Sequence, residues 1–309
     1  MSKYVIVGAG PVGNAVAEIL LARGDEALVV TRSGAGPEEA HRVTLDASEA
    51  AELAELTAGA AALFNCANPA YHRWLQDWPP LAESMLTAAR TAGATLVIAS
   101  NLYGYGPVTQ PMTPQLPLAS RSGKGRVRAE MWENALAAHR RSEVAAVEVR
   151  GSDYLGAGEQ SHFDRVLPAL LAGKKIRVLG DPDAPHSWTY VGDMARTLVA
   201  AADDSTAWGR PWHAPVAADV SQREGLTEAA EMAGLSAPRV AGIPGWQLRL
   251  AGVFNSTIAE LPEVSYQFEA PFISDDSETR AHFGIEPTPW SDVLRASLAA
   301  AGAGVAAAA

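Results

Sequence analysis

A doubly wound parallel α/β sheet, a Rossmann fold, followed by a smaller carboxyl-terminal substrate lobe is the fold class this sequence predicts. Three observations predict it: an apolar run that enters a glycine-rich turn and then a helix; strands and helices alternating as far as Ser152; and irregular spacing beyond. The boundaries follow, with a nucleotide-binding domain over 1–152, a lobe over 153–298 that returns some elements to the sheet, and an Ala/Gly-rich tail over 299–309.

Tyr4 to Val7 is apolar and rich in β-branched residues, as a strand buried on both faces requires. Gly8, Gly10 and Gly13 then form G-x-G-x-x-G, and Val12, Val16, Ile19 and Leu20 recur at helical spacing. The first glycine permits the tight turn, the second lets a pyrophosphate reach the backbone, and the third lets helix and strand approach. The anion then rests on the free N–H groups of the helix start.

Gly24 ends that helix, and a second strand, Ala27 to Thr31, runs into Arg32 and Ser33. An acid here would accept from a ribose 2′-hydroxyl, whereas a cation and a small donor suit a 2′-phosphate. NADP(H) is therefore the expected cofactor. Further strands are expected at Arg42 to Leu45, Ala61 to Cys66, Thr95 to Ala99 and Val144 to Val149, with helices between them. Pro79 and Pro80 are expected to kink or restart the long helix after the fourth strand. Beyond Ser152 the sequence predicts a glycine-rich loop at Tyr154 to Gly158, a helix over His162 to Leu171, a strand over Ile176 to Leu179 and a turn over Pro182 to Tyr190.

The formal net charge of −11 argues against nucleic acid or an anionic membrane surface as partner. One cysteine, Cys66, excludes an intrachain disulfide and a cysteine-rich metal site. No signal-like start and no bilayer-length apolar run is visible, so a cytoplasmic protein is expected, with a small-molecule substrate, room for a homodimer and no metal.

In its order of motifs the chain resembles an extended short-chain dehydrogenase/reductase of the NAD-dependent epimerase/dehydratase type. The matching stretches are GAGPVG at Gly8 to Gly13, TRS at Thr31 to Ser33, Asp46, IASNLYGYG at Ile98 to Gly106, VRGSDYLGAG at Val149 to Gly158, HSWTYVGDMARTL at His186 to Leu198 and FISDDSETRAHFGIEPTPW at Phe272 to Trp290. The resemblance implies that Gly8, Gly10, Pro11, Val12 and Gly13 meet the pyrophosphate, Arg32 and Ser33 the 2′-phosphate, and Asp46 the adenine. It implies further that Cys66, Ala67, Ser100, Gly151 and Ser152 border the nicotinamide half.

The chain departs from that family at its usual proton donor, a tyrosine four residues before a lysine. None of its seven tyrosines has that partner. Placing Glu130 on the family's following glutamate puts Ser122 and Arg126 in the two positions, whereas counting from Tyr103 puts Lys124 in the tyrosine's place. A relocated donor is expected instead: Tyr103, with Tyr105 behind it, Lys124 to lower the phenol pKa or hold the ribose, and Ser100 for the substrate oxygen. Tyr105, His162, His186 and Trp188 are the residues expected to face substrate. The expected activity is NADP(H)-dependent oxidoreduction of a small carbonyl or hydroxyl compound; the alternatives are a non-catalytic NADP(H)-binding or redox-sensing module and a nucleotide-sugar epimerase or dehydratase.

Overall fold

The computed structural model describes residues 1–156, 158–252 and 259–302. The end of the alanine-rich tail and the last residues of the segment Trp246 to Phe254 lie outside them. The main sheet is built from β1 (Lys3–Val7), β2 (Glu26–Thr31), β3 (His41–Thr44), β4 (Ala62–Asn65), β5 (Thr95–Asn101) and β6 (Ala146–Gly151). The next three strands are β7 (Asp153–Leu155), β8 (Ile176–Leu179) and β9 (Ser187–Tyr190); β10 (Pro211–His213) then returns to the main sheet. Its order is β10-β6-β5-β4-β1-β2-β3 and all its pairings are parallel.

Alternation along β1 explains why both faces must be covered. Val5 and Val7 enter one core, beneath α2 (Ala50–Thr57), α3 (Trp74–Ala92) and α4 (Gly123–Arg140); Tyr4 and Ile6 enter the other, beneath α1 (Pro11–Ala22) and the helix Val191–Asp203. A third core, around Leu155, Phe163, Trp188, Leu226 and Phe268, belongs to the carboxyl-terminal lobe. That lobe adds a sheet in which β9 pairs antiparallel with Val216–Asp219 and parallel with β7, and a parallel pair of β8 with Val240–Ile243.

Several local expectations are corrected. Pro79 and Pro80 do not restart the helix, because the carbonyls of Leu75 and Gln76 that lose their partners lie on its exposed side. The loop expected from Tyr154 begins as β7, and the turn expected up to Tyr190 ends as β9, since the two pair and Thr189 Oγ1 accepts from the Ser152 amide. The helix expected from His162 is a 3₁₀ turn, Asp164–Val166, and then the short helix Leu167–Leu171, with Pro168 in its first turn. Helix α4 starts at Gly123, where the Ser122 hydroxyl accepts from the Gly125 amide at 2.9 Å.

Ser122→Ala is expected to cost about 1 kcal/mol through loss of that cap. Urea unfolding of the two proteins checks it.

Candidate functional site

Strand order reverses between β1 and β4, and in open α/β sheets ligands bind outside the carboxyl ends of the strands at that point. A cleft of about 730 Å³ opens there. Gly8 sits at φ +106°, and a Cβ on it would come within 2.5 Å of the Cys66 carbonyl. A Cβ on Gly13 would come within 2.0 Å of the Gly8 carbonyl. The turn is therefore closed on itself on the protein side. Gly10 is the opposite case, for a Cβ there would meet nothing within 4 Å, so its open face lies toward the cleft it lines. Gly10 is also the N-cap of α1, Pro11 follows it, and the first turn of the helix carries no acid. Free N–H groups and the helix dipole are thus presented without a competing carboxylate, which suits a pyrophosphate.

Gly8, Gly10, Arg32, Ser33, Asp46, Cys66 and Ala67 line the cleft, so it gathers much of the expected cofactor set. Pro11, Val12 and Gly13 stand behind its wall in the first turn of α1. Arg32 and Ser33 are exposed at the end of β2, and Arg32 forms no ion pair among the described residues. Asp46 accepts from the Ser48 amide and hydroxyl, which hold its carboxyl below the usual range. Burial pushes the Cys66 thiol up to about 12, so it is inert at neutral pH. Gly151 is kept small by Tyr154, whose hydroxyl a Cβ would approach to 2.7 Å and whose ring to 2.9 Å; that hydroxyl donates to the Ser100 carbonyl. Ser152 is buried, and its hydroxyl has no hydrogen-bond partner among the described residues.

Next to these strand ends Tyr103 is half-buried in a 3₁₀ turn, its amide held by Asn101 and its hydroxyl accepting from Tyr71 at 3.4 Å. Burial, then the Asp153 carboxylate, pushes the Tyr103 phenol up to about 12, against hydrogen bonds to Tyr71 and Gln267 and the charge of Arg128. Ser100 is buried at the end of β5 nearby.

The remaining expectations are corrected in part. Lys124 is not a free cation beside Tyr103: its ammonium is paired with Glu260 and Glu263 and lies over the Tyr71 ring. Tyr105 is buried away from the cleft, its hydroxyl bonded to His213 Nε2 at 2.7 Å and to Arg150 at 2.6 Å. Trp188 is wholly buried in the lobe core and donates to the Val220 carbonyl. His186 is buried as well, between the Gln267 carbonyl and Asp153. His162 remains partly accessible, with Nδ1 held by Arg165. Among the described residues no group of His, Cys, Asp and Glu is arranged to hold a metal ion.

Sequence reasoning missed Arg128 and Asp153. Arg128 is buried between the rings of Trp74 and Trp78, reaches the Ala99 carbonyl only at 3.5 Å, and is pulled by burial down to about 10. In a run as basic as GKGRVR it reads as a solvated side chain; only its position four residues after Lys124 hinted otherwise.

The protein family described as the NAD dependent epimerase/dehydratase family matches residues 4–212. No curated protein matches the chain. Among solved structures, it is similar to the UDP-glucose 4-epimerase of Thermotoga maritima, solved with UDP-glucose, at 14% identity over 96% of this chain and 97% of that one, with a TM-score of 0.78. It is similar also to the UDP-glucose 4-epimerase of Brucella ovis in complex with NAD, at 21% identity over 99% and 100%, TM-score 0.77. A UDP-glucuronic acid 4-epimerase of Bacillus cereus in complex with NAD gives 16% identity over 97% and 96%, TM-score 0.79. At these identities the likeness establishes the fold.

The two inner glycines separate fold from binding. Gly13→Ala is expected to lower the melting temperature and abolish nucleotide binding, whereas Gly10→Ala is expected to melt as the parent does and lose affinity for NADPH. Thermal unfolding and nicotinamide fluorescence on both variants check the contrast.

Proposed function

The chain belongs to the NAD-dependent epimerase/dehydratase family, and we propose that it binds a nicotinamide dinucleotide, NADP(H) in preference to NAD(H), to exchange hydride with a carbinol or carbonyl carbon. The observation that carries this reading is the cleft itself, with the open face of Gly10 over the start of α1 and Arg32 and Ser33 at the end of β2. Bound there, the cofactor supplies or accepts the hydride. The residues of the chain do the rest. The N–H groups of α1 hold the pyrophosphate, the Arg32 guanidinium and Ser33 hydroxyl take the 2′-phosphate, and Asp46 borders the adenosine end. Cys66 and Ala67 leave room for the nicotinamide half, with Ser100, Gly151 and Ser152 at the adjoining strand ends.

Tyr103 is the proton donor in this proposal. It is a phenol at neutral pH, as an unshifted tyrosine is, and can give a proton to an oxygen that gains charge. Ser100 hydrogen-bonds that oxygen, and Lys124, already paired with Glu260 and Glu263, fixes Tyr71 behind Tyr103.

The names of the solved structures it is similar to, nucleotide-sugar 4-epimerases, support a nucleotide sugar as substrate, with hydride removed from a ring carbon and returned to the opposite face of the same carbon. A second reading, net reduction of a small carbonyl compound, is favoured by the cation and hydroxyl at the end of β2, which suit the phosphorylated cofactor of reductive reactions.

Paired calorimetric titrations with NADPH and NADH test the cofactor. NADPH is expected to bind more tightly, and Arg32→Ala to weaken it by about tenfold or more while leaving NADH nearly unchanged, as loss of a charge-assisted hydrogen bond requires. Equal affinity for the two nucleotides contradicts the assignment. Incubation with UDP-glucose and with a panel of small carbonyl compounds then separates the readings, since only the second consumes NADPH stoichiometrically.

A further inference from the structure

Asp153 stands two residues past the end of β6, where the main sheet passes into the smaller lobe. His186 Nε2 lies 3.0 Å from Asp153 Oδ2, and His186 Nδ1 lies 3.1 Å from the Gln267 carbonyl oxygen. A carbonyl oxygen only accepts, so Nδ1 carries a proton. A neutral imidazole would then turn the lone pair of Nε2 toward a carboxylate oxygen, and the contact would be repulsive. A second proton must lie between Nε2 and Oδ2.

The surroundings indicate which atom holds it. The rings of Phe268 and Phe272 lie nearly parallel to the imidazole, at 15° and 20° and with centroids 4.6 and 5.5 Å away, and Trp188 closes in at 4.7 Å. Aromatic faces stabilise a cation, and a buried cation needs its counter-ion in contact. The other carboxylate oxygen faces a second histidine. Arg165 donates to His162 Nδ1 at 2.6 Å, which leaves the proton of a neutral ring on Nε2, 3.8 Å from Asp153 Oδ1.

We propose that His186 is a resident imidazolium and a positioning residue, which anchors Asp153 as a charged carboxylate beside the Tyr103 phenol. The inference deepens the reading of Tyr103 as proton donor and rests on it for its functional meaning. Burial opposes ionisation of Asp153, yet the hydrogen bond and charge of His186 prevail and hold the carboxyl below the usual range. That carboxylate disfavours the phenolate form of Tyr103, as of Tyr71, Tyr154 and Tyr266 around it, while Arg128 acts the other way on Tyr103 and Tyr154. The anchored charge thus raises the proton affinity of Tyr103, which is a phenol at neutral pH with or without it.

Nitrogen NMR of the protein labelled at its histidine rings tests the pair at neutral pH. Both ring nitrogens of His186, identified by the signals missing in His186→Gln, are expected in the protonated range. Asp153→Asn, which can offer an amide N–H to Nε2, is expected to convert His186 to the neutral form with Nε2 unprotonated. Should His186→Gln not fold, through-bond correlation of the ring nitrogens to the assigned backbone of His186 supplies the assignment. An unprotonated Nε2 in the parent protein overturns the proposal, and so does a His186 that stays doubly protonated in Asp153→Asn. NADPH titration of the same parent sample tests the nucleotide reading independently, so failure of one is not mistaken for failure of the other.

Discussion

The contact on which the structure depends is the one between two glycines. The Gly8 carbonyl occupies the space that a Cβ on Gly13 would need, and Gly8 itself fits beneath Cys66 at a positive φ. Only this approach lets α1 leave the end of β1 with its first N–H groups aimed into the cleft. The order of strands on either side of β1 then places the ends of β2 and β4 along the cleft walls. A side chain at either glycine would push strand and helix apart and disturb the packing of α1 on its face of the sheet.

A second constraint lies at the seam between the main sheet and the smaller lobe. Tyr71, Tyr103 and Tyr154 meet there with Arg128 from one side and Asp153 from the other. Buried charges are tolerated only where they are answered, and here each has its own arrangement: Lys124 by two glutamates, Arg128 by two indole rings, Asp153 by histidines. The lobe is therefore held to the sheet by polar groups as well as by packing. Burial and the Asp153 carboxylate raise the proton affinity of the Tyr103 phenol there, and Arg128 lowers it.

The fold was legible because its signals are local. Gly8, Gly10 and Gly13 lie within one turn, and the apolar runs of β1, β2, β4, β5 and β6 are short and continuous, so the parallel sheet and the cleft at its strand ends follow from sequence spacing. The cleft-lining set Arg32, Ser33, Asp46, Cys66 and Ala67 was legible for the same reason. What could not be read was non-local. Lys124 meets its partners 136 and 139 residues away, and His186 meets Asp153 33 residues away and Gln267 81 residues away, distances over which spacing carries no information. Arg128 and Asp153 carry no motif of their own, and their importance comes from burial, which a polar residue in a mixed segment does not announce.

A crystal structure of the protein grown with NADPH decides where the nucleotide lies. Pyrophosphate is expected on the amide groups at the start of α1, the 2′-phosphate against Arg32 and Ser33, and the nicotinamide between Cys66 and the Ser100 to Tyr103 turn. A nucleotide bound elsewhere, or one whose 2′-phosphate points into solvent and whose nicotinamide lies away from Tyr103, would contradict this placement.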